Sequence, residues 1–573
     1  MKFKNLDFDP ARNPAVLDTA TWDAPAVCRC LNQLPQGYVG SLVQAAENRR
    51  KLPAQNGFTP YDGSLAGKDG KTLFLAGMPD RQQIFVELAP QQSESVMGTA
   101  LHQQKLDSGC LRAYAASAQN LDRFFRKVAP KKGPLALGST PRLGIGVRMT
   151  TSCWPAILKA MDQKKFSSNM IQNSVRELNL MPKLLEAGAP EKNYACGFGT
   201  IETGYTGSTF EGLWVYGVLE GLKYPKDLPY GADADHIQVK RDPQGLDRAK
   251  RVIDSGRYYT FYTIDMADIL GYQAMLEKDS AKAIAFFGQK ITDSSLRKEI
   301  AQYHQQGRTI AGIRYQPDEA ALGRLVGKFW DSLRIMEELA RYINSLKDGQ
   351  KFDLEFAMDE HPPEVPAFDC LTTNEEVLFV LLEIQRRGLP VTHIAPNFGA
   401  EKGLDYRCPD GLDGLEKRIV AQFGIAEEFG VMLDFHSADD LTAGPRRVIQ
   451  KATGGKHHFK ISPMLQLLYA EVLSEVHPDL FKEWWQDAQA YARREAEAGS
   501  AFARQCLKDF DPQKAPSRHD LFFHHYSFAF VGKRGPDGQF LHRHRFYDLS
   551  PAFYQAYEDR LVRYLSMLAE ELF

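Results

Sequence analysis

Residues Tyr230–Val239 read YGADADHIQV. The run is small or apolar at most positions, as a buried strand is, yet Asp233, Asp235 and His236 fall within four residues of it. Three ionisable groups on such a strand form either a structural network or a holder for something charged. A metal ion with a polar substrate is the simplest occupant.

Seven further runs share this form: LGIGVRM from Leu143, NMIQNS from Asn169, YTFYTID from Tyr259, KFDLEFAMD from Lys351, VTHIAPNF from Val391, VMLDFHSA from Val431 and HFKIS from His458. The segments between them are long enough for crossover helices. The pattern predicts an α/β fold, a TIM-type (β/α)8 barrel. One helix is expected over Asn374–Arg387, where Thr373 and Glu376 form a capping box and Gly388 and Pro390 stop the helix. Another is expected over Leu415–Phe429, from the stripe Leu415, Ile419, Val420, Phe423 and Ala426 with Gly430 after it. The stretch Met266–Gln350 is too long for one crossover and predicts a helical insertion around 266–350. Lys127–Pro141, rich in Pro, Gly and Lys, reads as a linker. Residues 1–135 are then an N-terminal accessory α+β region, with strands in KTLFLAG and QQIFVEL. Residues 136–573 form the barrel, with a helical C-terminal part.

Bulk composition narrows the function. The chain has 573 residues, 43% hydrophobic and 25% charged, with 70 basic against 72 acidic side chains. That balance offers no field for nucleic acid or an anionic membrane. The first residues lack an apolar signal core, and no run is long and apolar enough to span a bilayer. Of the eight cysteines only Cys28 and Cys30 lie close, which suits a reducing, cytoplasmic setting. A small-molecule partner is expected, and a homo-oligomer is left open. Gly144 and Gly146 lack the third glycine of a dinucleotide fingerprint, so no NAD is expected. ATGGKHHF lacks the Walker A spacing, and no G-x-S-x-G elbow occurs.

Barrel enzymes take their reactive groups from the C-terminal ends of strands. Here Arg148, Gln172, Asp233 with Asp235 and His236, Asp265, Glu355 with Asp359, Asn397, His436 and Lys460 have that placement in turn. Imidazole and carboxylate together suit zinc, manganese or cobalt. The ligand candidates are His236, Glu355 and His436, with His525 of FFHHYSFAF as a fourth. Plainer roles compete. A lone strand-end histidine is more often a core residue, Asp233 and Asp235 can cap the next helix, and Arg148 can pair with a carboxylate of the barrel floor. Tyr262 and Phe398 are read as packing before sugar stacking, and the pairs His457–His458 and His542–His544 as solvated loop residues. Glu355 is hardest to dismiss, because a carboxylate in an apolar strand must be paired or metal-bound.

YGADADHI, YTFYTIDMADI, FDLEFAMDE, EKGLDY, HSADD with KATGG, HFK and HYSFAF, in this order, resemble the tagaturonate/fructuronate epimerase family from about Leu143 onward. These are metal-dependent sugar-acid epimerases, and some members act on ketohexoses. By this resemblance Asp235 and His236 match the acid–histidine pair, and Glu355 the carboxylate of the fifth strand. His436 matches the histidine opening an H-S-G-S-D-K segment, Lys460 the lysine of H-V-K, His525 the histidine before a late T-F-G, and Arg148 the arginine of G-D-R-L-G. Val147, Leu441 and Asn397 stand where the family has aspartate, lysine and arginine. Losing two basic positions opens a neutral ketose as substrate. The implied activity inverts a carbon β to a ketone, whose hydrogen is not acidic. With no nicotinamide fingerprint, retro-aldol cleavage is favoured over transient oxidation. Asp235 and Glu355 are the expected catalytic residues, and Arg148, Gln172, Lys460, Asn397 and Asp265 the expected substrate contacts. A catalytically silent sugar-binding paralogue and an aldose–ketose isomerase remain as alternatives.

Overall fold

The computed structural model describes the chain apart from residues 1, 4–5, 8–22, 81, 108, 149, 175–177, 180–191, 196–198, 203–207, 360–366, 402–403, 437, 509, 512 and 537–539. Two helices, α1 (Ala24–Asn32) and α2 (Gln36–Glu47), precede an antiparallel sheet. Its strands are β1 (Thr59–Lys68), β2 (Lys71–Gly77), β3 (Gln83–Ala89), β4 (His102–Leu106) and β5 (Gly109–Ala115), in spatial order β1-β2-β3-β5-β4. Period-two alternation divides its two faces. Phe74, Ala76, Ile84 and Val86 pack with Val27, Leu31 and Leu42 of the two helices. Leu73, Leu75, Phe85 and Tyr114 point the other way, into one core with Leu121 and Phe124 of α3 (Ala118–Lys127) and the barrel's outer helices.

All eight expected runs form one closed parallel barrel: β6 (Arg142–Gly146), β7 (Ser167–Ser174), β8 (Tyr230–Gln238), β9 (Phe261–Asp265), β10 (Asp353–Ala357), β11 (His393–Ala395), β12 (Met432–Phe435) and β13 (His458–Ile461). Crossovers run through α4 (Thr150–Lys164), α5 (Phe210–Lys223) and α6 (Gly245–Ser255). After β9 come α7 (Ser280–Lys290), α8 (Ser294–Gln305) and the long α9 (Glu319–Lys347), and then α10 (Asn374–Arg387), α11 (Gly411–Glu428) and α12 (Ala443–Thr453) complete the ring. The Thr373/Glu376 capping box is present at α10, and Gly388 ends that helix in the left-handed region at φ 63°. Beyond β13 lie α13 (Pro463–Val476), α14 (Pro478–Glu497), α15 (Leu521–Tyr526) and α16 (Pro551–Leu572). The last packs back on α4, where Lys159 pairs with Glu558 at 2.8 Å. Among the described residues no helix is long and apolar enough to cross a membrane.

The stretch Lys127–Pro141 is fastened to the barrel floor. Leu135 N donates to the Tyr230 carbonyl at 2.8 Å, and Leu137 N to Asp353 Oδ2 at 3.0 Å. The floor itself is charged, whereas such barrels usually fill with branched apolar side chains. Arg142 Nη1 donates to Asp353 Oδ2 and Nη2 to His393 Nε2, both at 3.0 Å. Phe261 lies edge-on to His393 and His458, with centroids 4.8 and 5.3 Å away. His457 and His458, read from sequence as solvated, are both fully buried. β13 starts at His458, so His458 faces the lumen and meets Asp434 Oδ2 at 2.9 Å, while His457 meets Thr453 Oγ1 at 2.8 Å.

Candidate active site

In a regular strand Asp235 and His236 would face opposite sides. In β8 the register against β9 slips between Ala234 and Ile237, so one extra residue is accommodated there. His236 takes φ 49°, the left-handed region that a histidine seldom adopts. The bulge lets Asp235 and His236 address the same site. The rings of His236 and His436 lie 5.1 Å apart, and His236 Nε2 is 3.9 Å from Asp235 Oδ2.

Lys460 crosses the lumen from β13. Its Nζ lies 3.1 Å from Asp233 Oδ2, 3.0 Å from Asp235 Oδ1 and 2.7 Å from Glu355 Oε2, and it donates to Thr263 Oγ1 at 2.6 Å. It can reach because residue 144 is glycine. A Cβ there would sit 2.6 Å from His458 Nε2 and 2.9 Å from Lys460 Cγ, and would also run into Gln172 Oε1. Burial opposes the charge on Lys460, but Asp233, Asp235 and Glu355 outweigh burial and raise its pKa well above the usual lysine value. Burial likewise pushes Asp235 and Glu355 up. For Asp235 the charges of His236, Lys460 and His436 reverse this, and for Glu355 those of Lys460 and His436 do, so both carboxyls stay below their ordinary range. Asp233, fully enclosed and beside two other acids, is raised to about 7, chiefly by burial.

Above the lysine, His436 sits between two acids, with Nε2 2.8 Å from Glu355 Oε1 and Nδ1 3.2 Å from Asp359 Oδ1. These four atoms are buried, and none is aligned for a hydrogen bond. Burial lowers the His436 pKa, but Asp359 and Glu355 outweigh it and raise it to about 10. Glu355, Asp434 and His436 offer ligand atoms that all lie within 4.8 Å of one another. Close approach of a ring nitrogen and a carboxylate oxygen without hydrogen-bond geometry, in a buried set of mixed N and O donors, fits a borderline divalent cation.

The remaining candidates divide. Arg148 Nε donates to Ser462 Oγ at 2.9 Å at the end of β6, one strand over from Lys460. Gln172 ends deep in the lumen against Gly144. Asp265 accepts from Ala267 N at 3.0 Å and Gln238 Nε2 at 3.2 Å, and its Oδ2 faces the His236 ring with Nδ1 3.6 Å away. Asn397 is turned to loop construction. Its Nδ2 donates to the carbonyls of Ala367 and Cys370, its Oδ1 accepts from Gly399 N, and its own N–H donates to Thr372 Oγ1. His525 is buried on α15, with ring contacts to Phe502 at 4.9 Å and His524 at 4.7 Å. Tyr262 donates its hydroxyl to the Gly256 carbonyl, and Phe398 stacks on Phe435, so both are packing residues. Val147 and Leu441 are buried. Thr263 and Asp434 were missed in the sequence, although alternation places them in phase with Asp265 and His436.

The sequence profile of the tagaturonate epimerase family, UxaE, matches residues 215–515, more than half of the chain. The tagaturonate/fructuronate epimerase of Thermotoga maritima is 26% identical over 437 residues, which cover 74% of this chain and 78% of that protein. Crystal structures of the fructuronate-tagaturonate epimerase UxaE from Cohnella laeviribosi superpose on it with TM-scores of 0.65 for the native form and 0.66 for a two-glycerol complex. They cover 93% of this chain and 99% of theirs at 18% identity, a likeness of fold.

Proposed function

Because the chain belongs to the tagaturonate epimerase family and is thus a carbohydrate epimerase, we propose that it interconverts tagaturonate and fructuronate, or kindred ketohexoses, by cleaving and reclosing the carbon–carbon bond beside the inverted centre. The observation that carries this reading is the gathering of Lys460, Asp235, Glu355, His236 and His436 at one end of the lumen. Asp235, kept ionised by its cationic neighbours, accepts the proton of the hydroxyl on the carbon β to the ketone. That oxygen becomes an aldehyde oxygen, and the electrons of the broken bond pass to the ketone as an enediolate. The aldehyde turns over, the enediolate carbon attacks its other face, and Asp235 returns the proton to the new alkoxide. Atoms and electrons balance without an oxidant or a reductant.

Glu355 and His436, with His236 beside them, are the residues that would hold a divalent cation. When bound, the cation supplies Lewis-acid stabilisation of the enediolate charge. Lys460 stays protonated and serves as a counter-ion that fixes Asp235 and Glu355, not as an amine nucleophile. In this reading Arg148, whose Nε donates to Ser462 Oγ, is the guanidinium that takes a substrate carboxylate.

The test is an NMR screen of hexuronate ketoses and neutral ketohexoses in D2O with added Mn2+, Co2+ or Zn2+. The expected product is the β-epimer with its original hydrogen on the inverted carbon. Deuterium at that carbon refutes the cleavage route, an aldose product points to an isomerase, and no turnover of any sugar points to a silent paralogue. Asp235→Asn is expected to lower kcat by about 10²–10⁴-fold, the usual weight of a positioned base.

A further inference from the structure

The geometry points to Asp434 as a direct protein ligand of the divalent cation, an inference that rests on the cation reading above. Among the described residues, three buried atoms, Glu355 Oε1, Asp434 Oδ1 and His436 Nε2, make no aligned hydrogen bond, and Glu355 Oε1 and His436 Nε2 meet only in an unaligned approach at 2.8 Å. They belong to the three side chains whose ligand atoms all lie within 4.8 Å of one another. Glu355 and Asp434 are fully buried and His436 is 7% exposed, so bulk water does not serve them. Leaving buried acceptors unsatisfied costs about 1–3 kcal/mol each, more when charged, and two carboxylates repel each other. A cation at their meeting point removes both penalties.

The other end of Asp434 is held as a ligating carboxylate usually is. Its Oδ2 accepts from His458 Nδ1 at 2.9 Å, which fixes the carboxylate plane and leaves Oδ1 for the cation. His458 is itself walled in by Phe261, with ring centroids 5.3 Å apart, and closely flanks Gly144. The backbone adds a second constraint. Asp434 and His436 are two residues apart along the β12 edge, so period-two alternation sends both side chains into the lumen. Glu355 arrives from β10, across β11.

Metal-stripped wild type and Asp434→Asn are titrated with Mn2+ by calorimetry, and wild-type crystals soaked in Mn2+ are examined for anomalous density. In the asparagine variant the amide oxygen is drawn to the His458 N–H, which turns the NH2 toward the cation. Mn2+ affinity is expected to fall at least about 10–100-fold, the range seen when metal-supporting groups are lost. Asp434→Ala, which presents no donor, should fall as far. The wild-type crystal should show a peak bonded to Asp434 Oδ1 as well as to Glu355 and His436. A peak held by the histidines and Glu355 but out of reach of Asp434, or unchanged Mn2+ affinity in both variants, overturns the assignment and leaves Asp434 as a protonated neighbour of Glu355. Wild type that takes up no divalent ion overturns the cation reading itself.

Discussion

Replacing Lys460 with methionine keeps the length of the side chain and removes its charge. In the native site Nζ lies 2.7–3.1 Å from Glu355, Asp235 and Asp233, and the lysine is 5% exposed. Removing one partner of a buried ion pair costs about 3–5 kcal/mol, because the other charge is left enclosed and uncompensated. Three carboxylates share this one cation, so Lys460→Met should reach at least that range. Its pH dependence carries the sharper test. With the lysine present, Asp235 and Glu355 lie below their ordinary values. Their contribution to stability is then complete above the unfolded carboxyl range near about 4 and is lost as pH falls through the folded values. Without the lysine, burial is unopposed by that cation and the folded carboxyl values rise, as Asp233 already shows at about 7. A group raised on folding contributes most below its unfolded value and loses that contribution as pH rises. The destabilisation of Lys460→Met should therefore be substantial already at pH 5, where the wild-type contribution is complete, and larger still near pH 8. Urea denaturation followed by circular dichroism at both pH values measures it, with Lys460→Arg as a variant that keeps the charge. A loss that is equal at the two pH values, or below about 1 kcal/mol at pH 8, would falsify the counter-ion argument.

Gly144→Ala should displace Lys460 and His458, since its Cβ would fall 2.9 Å and 2.6 Å from their atoms. A cost of about 1–3 kcal/mol is expected for such overpacking, with kcat reduced more than KM is raised, and unaltered steady-state kinetics would contradict it. Asn397→Ala should cost about 1–3 kcal/mol by leaving the carbonyls of Ala367 and Cys370 and the Gly399 N–H unpartnered. A large rise in KM with unchanged melting temperature would restore a substrate contact there. Thr373→Ala removes the N-cap of α10 and should cost about 1 kcal/mol, read as a lower melting temperature with kcat retained.

The sequence by itself determined the barrel. Each of its eight runs is a short apolar strand bounded by turn chemistry, and a helix such as Asn374–Arg387 carries both its start and stop signals locally, in Thr373, Glu376 and Gly388. It also nominated Asp235, Glu355, His436 and Lys460, because an ionisable residue in an otherwise buried strand must have a partner. It could not name the partners. That one lysine answers three acids on β8 and β10 is a consequence of barrel closure, which brings β13 across from them. Asn397 and Asp265 occupy strand ends and look identical in sequence to the residues that line the site. Only the fold turns Asn397 to its own loop and Asp265 to the His236 ring. The bulge at His236 was equally hidden, since alternation predicts the opposite face for it and only the slipped register against β9 reverses that. Local chemistry is written in consecutive residues, whereas charge compensation and donor convergence are set by distances between residues far apart in the chain.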